Sequence, residues 1–415
     1  MTSIYEDAFL VITTYLTEIK HILNFLSVNK VSHGSKQKCT FSKEVIYTKE
    51  LEKLSYYDNL NVVYHYDETN YYYHIPSVHS VVIKPIIRYI SNIIFPSSVR
   101  KITYVPEFDQ HWTPVVLPHF LQEIHFCSNF NQPLNPGIFP SSLKILTFGS
   151  CFNQPLDQGV LPSSLQVITF GKHFNQLLLP GVLPDSLIEL ILGDDFNQLL
   201  MVGVFPSSLR VITLGKYFNH PLIPSILPDS LRKIRMSVRF NHSLPQGVFP
   251  SSLQEITFGG EFNQPLVPGI LPNSLRNIKF GTWFNKPLVL GVFPSTVKEI
   301  TFGYDFDQPL TLDILPNSLR KLIFGHRFNQ SLLPGVLPES LREIEFGRRF
   351  NQELPPGVLP FYLREVTFGS CSLQTLTSLN VPPYVTKIGF HGMRPKTESS
   401  PLSINMVSVP IKIFV

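Results

Sequence analysis

A single interval constrains this chain more than any other feature. Starting from Phe152 and stepping by 22 residues, phenylalanine recurs at Phe108, Phe130, Phe174, Phe196, Phe218, Phe240, Phe262, Phe284, Phe306, Phe328 and Phe350, with no insertion or deletion. Asn follows each time, except at Asp109 and Asp307. A proline keeps the same step from Pro96 to Pro382, through fourteen registers. The unit reads LPxSLxxIxFGxxFNQPLxxGx. A fixed period of this length, held without a break, specifies a solenoid in which each coil packs only on its neighbours.

Within one unit, the stretch Leu143–Phe148 alternates in hydrophobicity, which predicts a short strand with one face inward. Gly149 ends it, and Gly recurs there in ten registers, as expected where the backbone bends and a Cβ would interfere. Pro155 and Pro162 exclude a long helix from the rest of the unit, leaving a polyproline-like or short 3₁₀ return path. Each coil then adds one strand to a long parallel sheet. Fourteen strands at about 4.8 Å make a sheet on the order of 65 Å long, suited to a protein partner and too open for a small-molecule pocket.

The Phe after each turn is expected to point inward and stack on its copies as an aromatic spine. The Asn after it (Asn131, Asn153, Asn175, Asn197, Asn219, Asn241, Asn263, Asn285, Asn329 and Asn351) is expected to be buried in a structural ladder that satisfies backbone groups near the turn. Asp109 and Asp307 lack amide donors, so looser coils are expected there. The sequons at Asn241 and Asn329 read as ladder members and not as glycosylation sites.

The unit resembles the FNIP repeat, a leucine-rich-repeat relative found in social amoebae and in giant viruses of amoebae. The likeness spans residues 96–390, and its L-x-x-I-x-F core is similar to the L-x-x-L-x-L segment of leucine-rich repeats. It implies a curved solenoid with the strands on its inner face.

Residues 1–47 differ. Glu6–Lys30 carries Phe9, Leu10, Ile12, Leu16, Ile22, Leu23 and Leu26 at helical spacing. One reading is a helical cap on the solenoid. The other is a resemblance to an F-box, which implies docking of a Skp-type adaptor; Tyr5 in place of the expected Pro, and no Trp after Lys30, depart from that pattern. Residues 48–95 are aromatic and irregular and read as opening coils or a capping layer, and 391–415 as a C-terminal cap or tail. The fold class that follows is α+β: a short helical segment, then about fourteen 22-residue coils with one parallel strand each.

The remaining features limit function. Charged residues make up 15% of the chain and hydrophobic ones 43%, so the chain folds. A net charge of +4 is too small to predict nucleic-acid binding, and the aromatic stretch 55–73 has almost no interleaved Lys or Arg. Cys39, Cys127, Cys151 and Cys371 have no metal-ligand spacing, and their usage fits a reducing compartment. The N-terminus has acids where a signal peptide needs bases, and no apolar run approaches a membrane span. A cytoplasmic monomer without cofactor or metal is expected. No phosphate-binding loop, nucleophile elbow or zincin motif occurs, so no enzyme is expected.

Function is then sought in the positions that the repeat leaves free. Counting from the repeat Leu, positions two and four of the strand and the two residues after the Gly face outward. Lys233, Arg235, Arg239, Lys279, Trp283 and Tyr304 stand out there, being residue types frequent at binding hot spots or forming a basic tint beside them. Position one is basic in many coils (Arg210, Arg232, Arg276, Lys298, Arg320, Arg342, Arg364), and neighbouring Glu residues are expected to balance it. The chain reads as a protein-interaction protein: the substrate-recognition subunit of a Skp–cullin–F-box type ubiquitin ligase, or a stand-alone repeat scaffold.

Overall fold

The computed structural model describes residues 117–369 and 381–390, Phe95, residues 97–104, and the backbone of four further strands at 45–46, 62–66, 80–83 and 412–414. The chain divides into two units, residues 1–176 and 177–415.

The first unit holds β1 (Val45–Ile46), β2 (Val62–Tyr66), β3 (Ser80–Ile83), β4 (Lys101–Tyr104), β5 (Glu123–His125), β6 (Ile145–Thr147) and β7 (Val167–Thr169). Each pairs in parallel with the next. The second unit holds β8 (Glu189–Ile191), β9 (Val211–Thr213), β10 (Lys233–Arg235), β11 (Glu255–Thr257), β12 (Asn277–Lys279), β13 (Glu299–Thr301), β14 (Lys321–Ile323), β15 (Glu343–Glu345), β16 (Glu365–Phe368), β17 (Lys387–Phe390) and β18 (Lys412–Phe414), again all parallel and consecutive. Register follows the sequence period: Ile234 faces Ile256, which faces Ile278, which faces Ile300. The central residue of each three-residue strand is buried and its neighbours are half-buried or exposed.

Among the described residues there is no helix. The α+β class expected from the sequence is therefore corrected to an all-β parallel solenoid. The residues expected to be helical, 1–47, lie outside the described residues except Val45–Ile46, and these form a strand paired with β2. The reason inside the repeats is local. Three tight turns close each coil, Phe152 N–H donating to Gly149 C=O (3.2 Å), Val160 to Asp157 (3.2 Å) and Leu165 to Pro162 (3.1 Å), which leaves no segment long enough for a helix. The middle turn requires a left-handed residue. Nine glycines from Gly137 to Gly357 have φ between 79° and 87°, and Ser225 (70°) and Asp313 (63°) fill the same column against the usual preference.

The Gly after the strand has a different role. A Cβ on Gly281 would lie 1.6 Å from the carbonyl oxygen of Gly259, and one on Gly303 equally close to Gly281, so coils can stack at this point only as bare backbone. Ser237 is the exception in the second unit. It is fully buried, and its hydroxyl donates to Lys216 C=O at 2.7 Å.

The core contains two aromatic columns. The post-turn Phe rings stack coil on coil, Phe262 on Phe284 at 6.2 Å, Phe284 on Phe306 at 6.1 Å, and Phe306 on Phe328 at 6.1 Å. The strand-ending Phe rings form a second column, Phe280 on Phe302 at 5.4 Å, and lean on the first, Phe302 on Phe306 at 3.9 Å.

Candidate protein-interaction face

The Asn column forms a continuous ladder within each unit, in which the side-chain oxygen accepts from a backbone N–H of the next coil. Asn153 N–H donates to Asn131 Oδ1 (2.8 Å) and Asn175 N–H to Asn153 Oδ1 (2.9 Å). Asn219 N–H donates to Asn197 Oδ1 (2.9 Å), Asn263 to Asn241 (2.9 Å), Asn285 to Asn263 (3.0 Å) and Asn351 to Asn329 (2.9 Å). The longest rung, Asn241 to Asn219 at 3.4 Å, lies in the coil that carries Ser237. The next residue reinforces it: Gln264 Nε2 donates to Asn241 Oδ1 at 3.1 Å and to its carbonyl at 3.0 Å.

Two expectations are corrected here. The ladder asparagines are half-buried or exposed, not buried. Asp307 does not loosen its coil: its N–H donates to Asn285 Oδ1 (2.9 Å), and its own Oδ1 accepts from Asn329 N–H (2.9 Å). Each rung uses the side-chain oxygen as acceptor, which Asp supplies as well as Asn.

A second ladder has only a weak signal in the sequence. In the PxSL segment the hydroxyl before the Leu donates to a carbonyl of the previous coil: Ser208 to Leu187, Ser230 to Leu209, Ser252 to Leu231 and Ser274 to Leu253, each at 2.6 Å, and Thr296 to Leu275 at 2.7 Å. Position-specific Ser was visible in the repeat, but it reads equally as a turn residue.

With both edges of the coil bound internally, the outward surface is left to the strand positions and the residues after the Gly. Lys233 is not free, because its Nζ lies 2.6 Å from Glu255. Lys321 and Glu343 pair in the same way at 2.8 Å, and Lys387 and Glu365 at 2.9 Å. Hydrogen bonding to Glu343 raises the Lys321 pKa, so its charge is secure. Arg235 and Lys279 are exposed two strands apart, with Thr257 between them in register.

Arg239 lies 4.6 Å from the centre of the Tyr217 ring, and Lys216 lies 5.3 Å from it. Trp283 is 52% exposed, beside the small Gly260 whose carbonyl accepts from its N–H at 2.8 Å. Tyr304 is 46% exposed and stacks on His326 at 4.4 Å. Arg327 pairs with Asp305 at 3.1 Å and lies 5.8 Å from the Tyr304 ring. Burial, with Arg349, Arg348 and Arg327 nearby, lowers the His326 pKa and favours neutral imidazole. The strand-face residues and the two aromatics thus belong to one run of consecutive coils. Phe9, Leu10, Ile12, Leu16, Ile22, Leu23 and Leu26 lie outside the described residues.

An exposed aromatic group near the C-terminal coils has little signal in the sequence. Phe361, Tyr362 and Tyr384 are each about half exposed, and their rings lie 5.1 to 5.5 Å apart. The signal available was Tyr362 and Tyr384 standing where most units have Ser. Among the described residues no group of three or more His, Cys, Asp or Glu could hold a metal, and no helix is long and apolar enough to cross a membrane.

Comparison with known proteins agrees with this architecture. The FNIP Repeat family matches residues 108–151, 152–195, 196–237, 240–282, 284–327 and 328–371. Among solved structures, the chain is similar to CroV588, described as a novel circular LRR protein, at 36% identity and TM-score 0.71. That match covers 80% of this chain and 47% of the other, so this chain spans about half the length of that relative. A second likeness, to the Drosophila Toll–Spätzle complex, has 15% identity and TM-score 0.51 over 75% of this chain and 46% of the other, and speaks to fold alone. Comparison with curated proteins returned no match.

Proposed function

The chain belongs to the FNIP repeat family of leucine-rich-repeat-like solenoids, and from that premise we propose that it is a non-enzymatic recognition protein holding a protein partner across the coils of residues 231–305. The observation that carries this reading is the exposure of Trp283 and Tyr304 in the same run of coils as Arg235, Arg239 and Lys279, on a scaffold whose buried core includes none of these side chains. Trp, Tyr and Arg are the residues that most often dominate binding energy. The partner is a protein and not a nucleic acid or membrane, because the surface carries both signs: Lys233 is joined to Glu255, and Glu343, Glu345 and Glu365 follow in later coils. The chain works as a cytoplasmic monomer. Its N-terminal segment docks a Skp-type adaptor, which makes the whole a ubiquitin-ligase substrate receptor; the alternative is a scaffold whose N-terminal segment is only a cap.

Affinity capture with the full chain tests both parts. Proteins held by wild type and by Gln264→Ala should be lost with Trp283→Ala, and for a purified partner Trp283→Ala should cost more than about 1 kcal/mol, over fivefold in Kd. Weakening by Gln264→Ala and not by Trp283→Ala would place the partner elsewhere. Leu16→Asp combined with Ile22→Asp should abolish adaptor capture while the solenoid stays folded; unchanged capture would leave only the scaffold.

A further inference from the structure

The residue after the repeat Leu forms the most regular charged feature of the second unit. From β9 to β16 it is Arg210, Arg232, Gln254, Arg276, Lys298, Arg320, Arg342 and Arg364. The backbone aligns these residues, since the N–H of each donates to the C=O of the one before: Arg232 to Arg210 at 2.8 Å, Lys298 to Arg276 at 2.7 Å, and Arg320 to Lys298, Arg342 to Arg320 and Arg364 to Arg342 at 2.8 Å. At about 4.8 Å per coil, seven cations stand in a file roughly 35 Å long.

The glutamates expected to balance them do not. Glu255, Glu343 and Glu365 pair instead with Lys233, Lys321 and Lys387 of the adjacent column, and among the described residues no member of the file has a carboxylate partner. Packing does not demand a cation here, because Gln254 sits within the file and Ile188 occupies the same position in the coil of β8. Like charges at this spacing repel. Arg342 also bonds within its own coil, donating to the carbonyls of Glu339 (2.9 Å) and Leu341 (3.0 Å) and lying 5.4 Å from the Tyr362 ring, which leaves its charge without a carboxylate partner.

We infer that this file docks an acidic, extended polypeptide segment running along the solenoid, its carboxylates meeting the row of guanidinium and ammonium groups. This rests on the reading of the strand face as the binding surface and names the partner's chemistry. An extended chain advances about 3.3 Å per residue, so some ten residues span the file. Single-stranded nucleic acid would need aromatic rings interleaved with the cations, whereas the exposed rings beside the file, Phe361, Tyr362 and Tyr384, lie only at one end. A flat anionic membrane would press against the neighbouring Glu255, Glu299, Glu343 and Glu365, while a narrow peptide avoids them.

The test is fluorescence anisotropy of a labelled poly-glutamate peptide of about a dozen residues with the full chain, at low and high salt. Binding should weaken with salt and fall by roughly tenfold or more in Arg276→Gln/Lys298→Gln/Arg320→Gln. Gln is native to the file at Gln254, so this variant is expected to fold, and circular dichroism verifies it. Arg276→Lys/Arg320→Lys should bind within about threefold of wild type, because charge is what the file supplies. Lys172→Gln/Lys286→Gln/Arg348→Gln removes the same charge elsewhere and should bind as wild type does. No binding by wild type, no loss in the file variant, equal loss in both triple variants, or tighter binding of oligothymidylate or phosphatidylserine vesicles than of the peptide would overturn the inference. If any of these occurs while capture still depends on Trp283, the file is excluded and the proposed function stands.

Discussion

Asn285 shows how much one side-chain atom does in this repeat. Its Oδ1 accepts from Asp307 N–H at 2.9 Å and from Gln308 Nε2 at 2.9 Å, so one oxygen bonds two donors of the next coil. The amide nitrogen is not what the rung needs, as Asp307 demonstrates one coil later. Asn285→Asp should therefore change stability by less than about 0.5 kcal/mol. Asn285→Ala should cost about 1–2 kcal/mol, because a half-buried N–H loses its acceptor. Denaturant midpoints of the two variants check this; equal losses would mean that the oxygen is not the structural group. The sequence made the column obvious and left its atom ambiguous, since Asn offers both a donor and an acceptor. It also made the asparagines look buried, because a repeated position is usually a core position. The left-handed turn column is a similar case: Gly at that site is readable as a bend, but the strain at Ser225 and Asp313 becomes apparent only with φ in hand.

At the scale of one coil, the strand and the two aromatic columns have unequal tolerance. The strand-ending column accepts Leu192, Leu214 and Met236 among its Phe residues, and all three are buried. The post-turn column is Phe in every described coil from Phe130 to Phe350, and from Phe152 onward these rings are completely buried. The post-turn column is enclosed by the strand-ending column, by the turn and by its own copies, so a smaller side chain there leaves a cavity that rigid backbone stacking at the Gly column cannot close. Phe258→Leu should thus cost less than about 1.5 kcal/mol, and Phe262→Ala about 3–5 kcal/mol. Thermal unfolding of both variants decides it, and similar losses would contradict the distinction. Strands, spine and return path were legible because alternation, Gly and Pro are local signals. The ion pairs were not. Position one and position two both look outward in the sequence, and only the geometry shows that Glu255, Glu343 and Glu365 reach the lysines of their own column and leave position one uncompensated.

At the scale of the molecule, the architecture is a sum of nearest-neighbour interfaces, and its columns stay in phase because no unit in the run has an insertion or a deletion. That property can be tested inside the second unit by removing one whole period. Deleting Leu253–Ser274 joins Ser252 to Leu275 and takes out 22 residues, one complete coil with β11. Every column then reconnects. Ile234 faces Ile278 in place of Ile256, Gly281 stacks on the carbonyl of Ser237 as Gly259 did, and the Asn285 N–H meets Asn241 Oδ1. The deletion also removes Gln254 and brings Arg276 directly onto Arg232, so the basic file becomes continuous over that stretch. The shortened chain should fold, with a small loss in unfolding temperature, and should bind an acidic peptide at least as well as the full chain. Deleting only residues 253–263, half a period, would set strand against turn and Phe against proline, and should abolish cooperative unfolding. If the whole-coil deletion unfolds as completely as the half-coil one, stability is not carried coil by coil. If it folds but loses the peptide, the file does not act through its spacing.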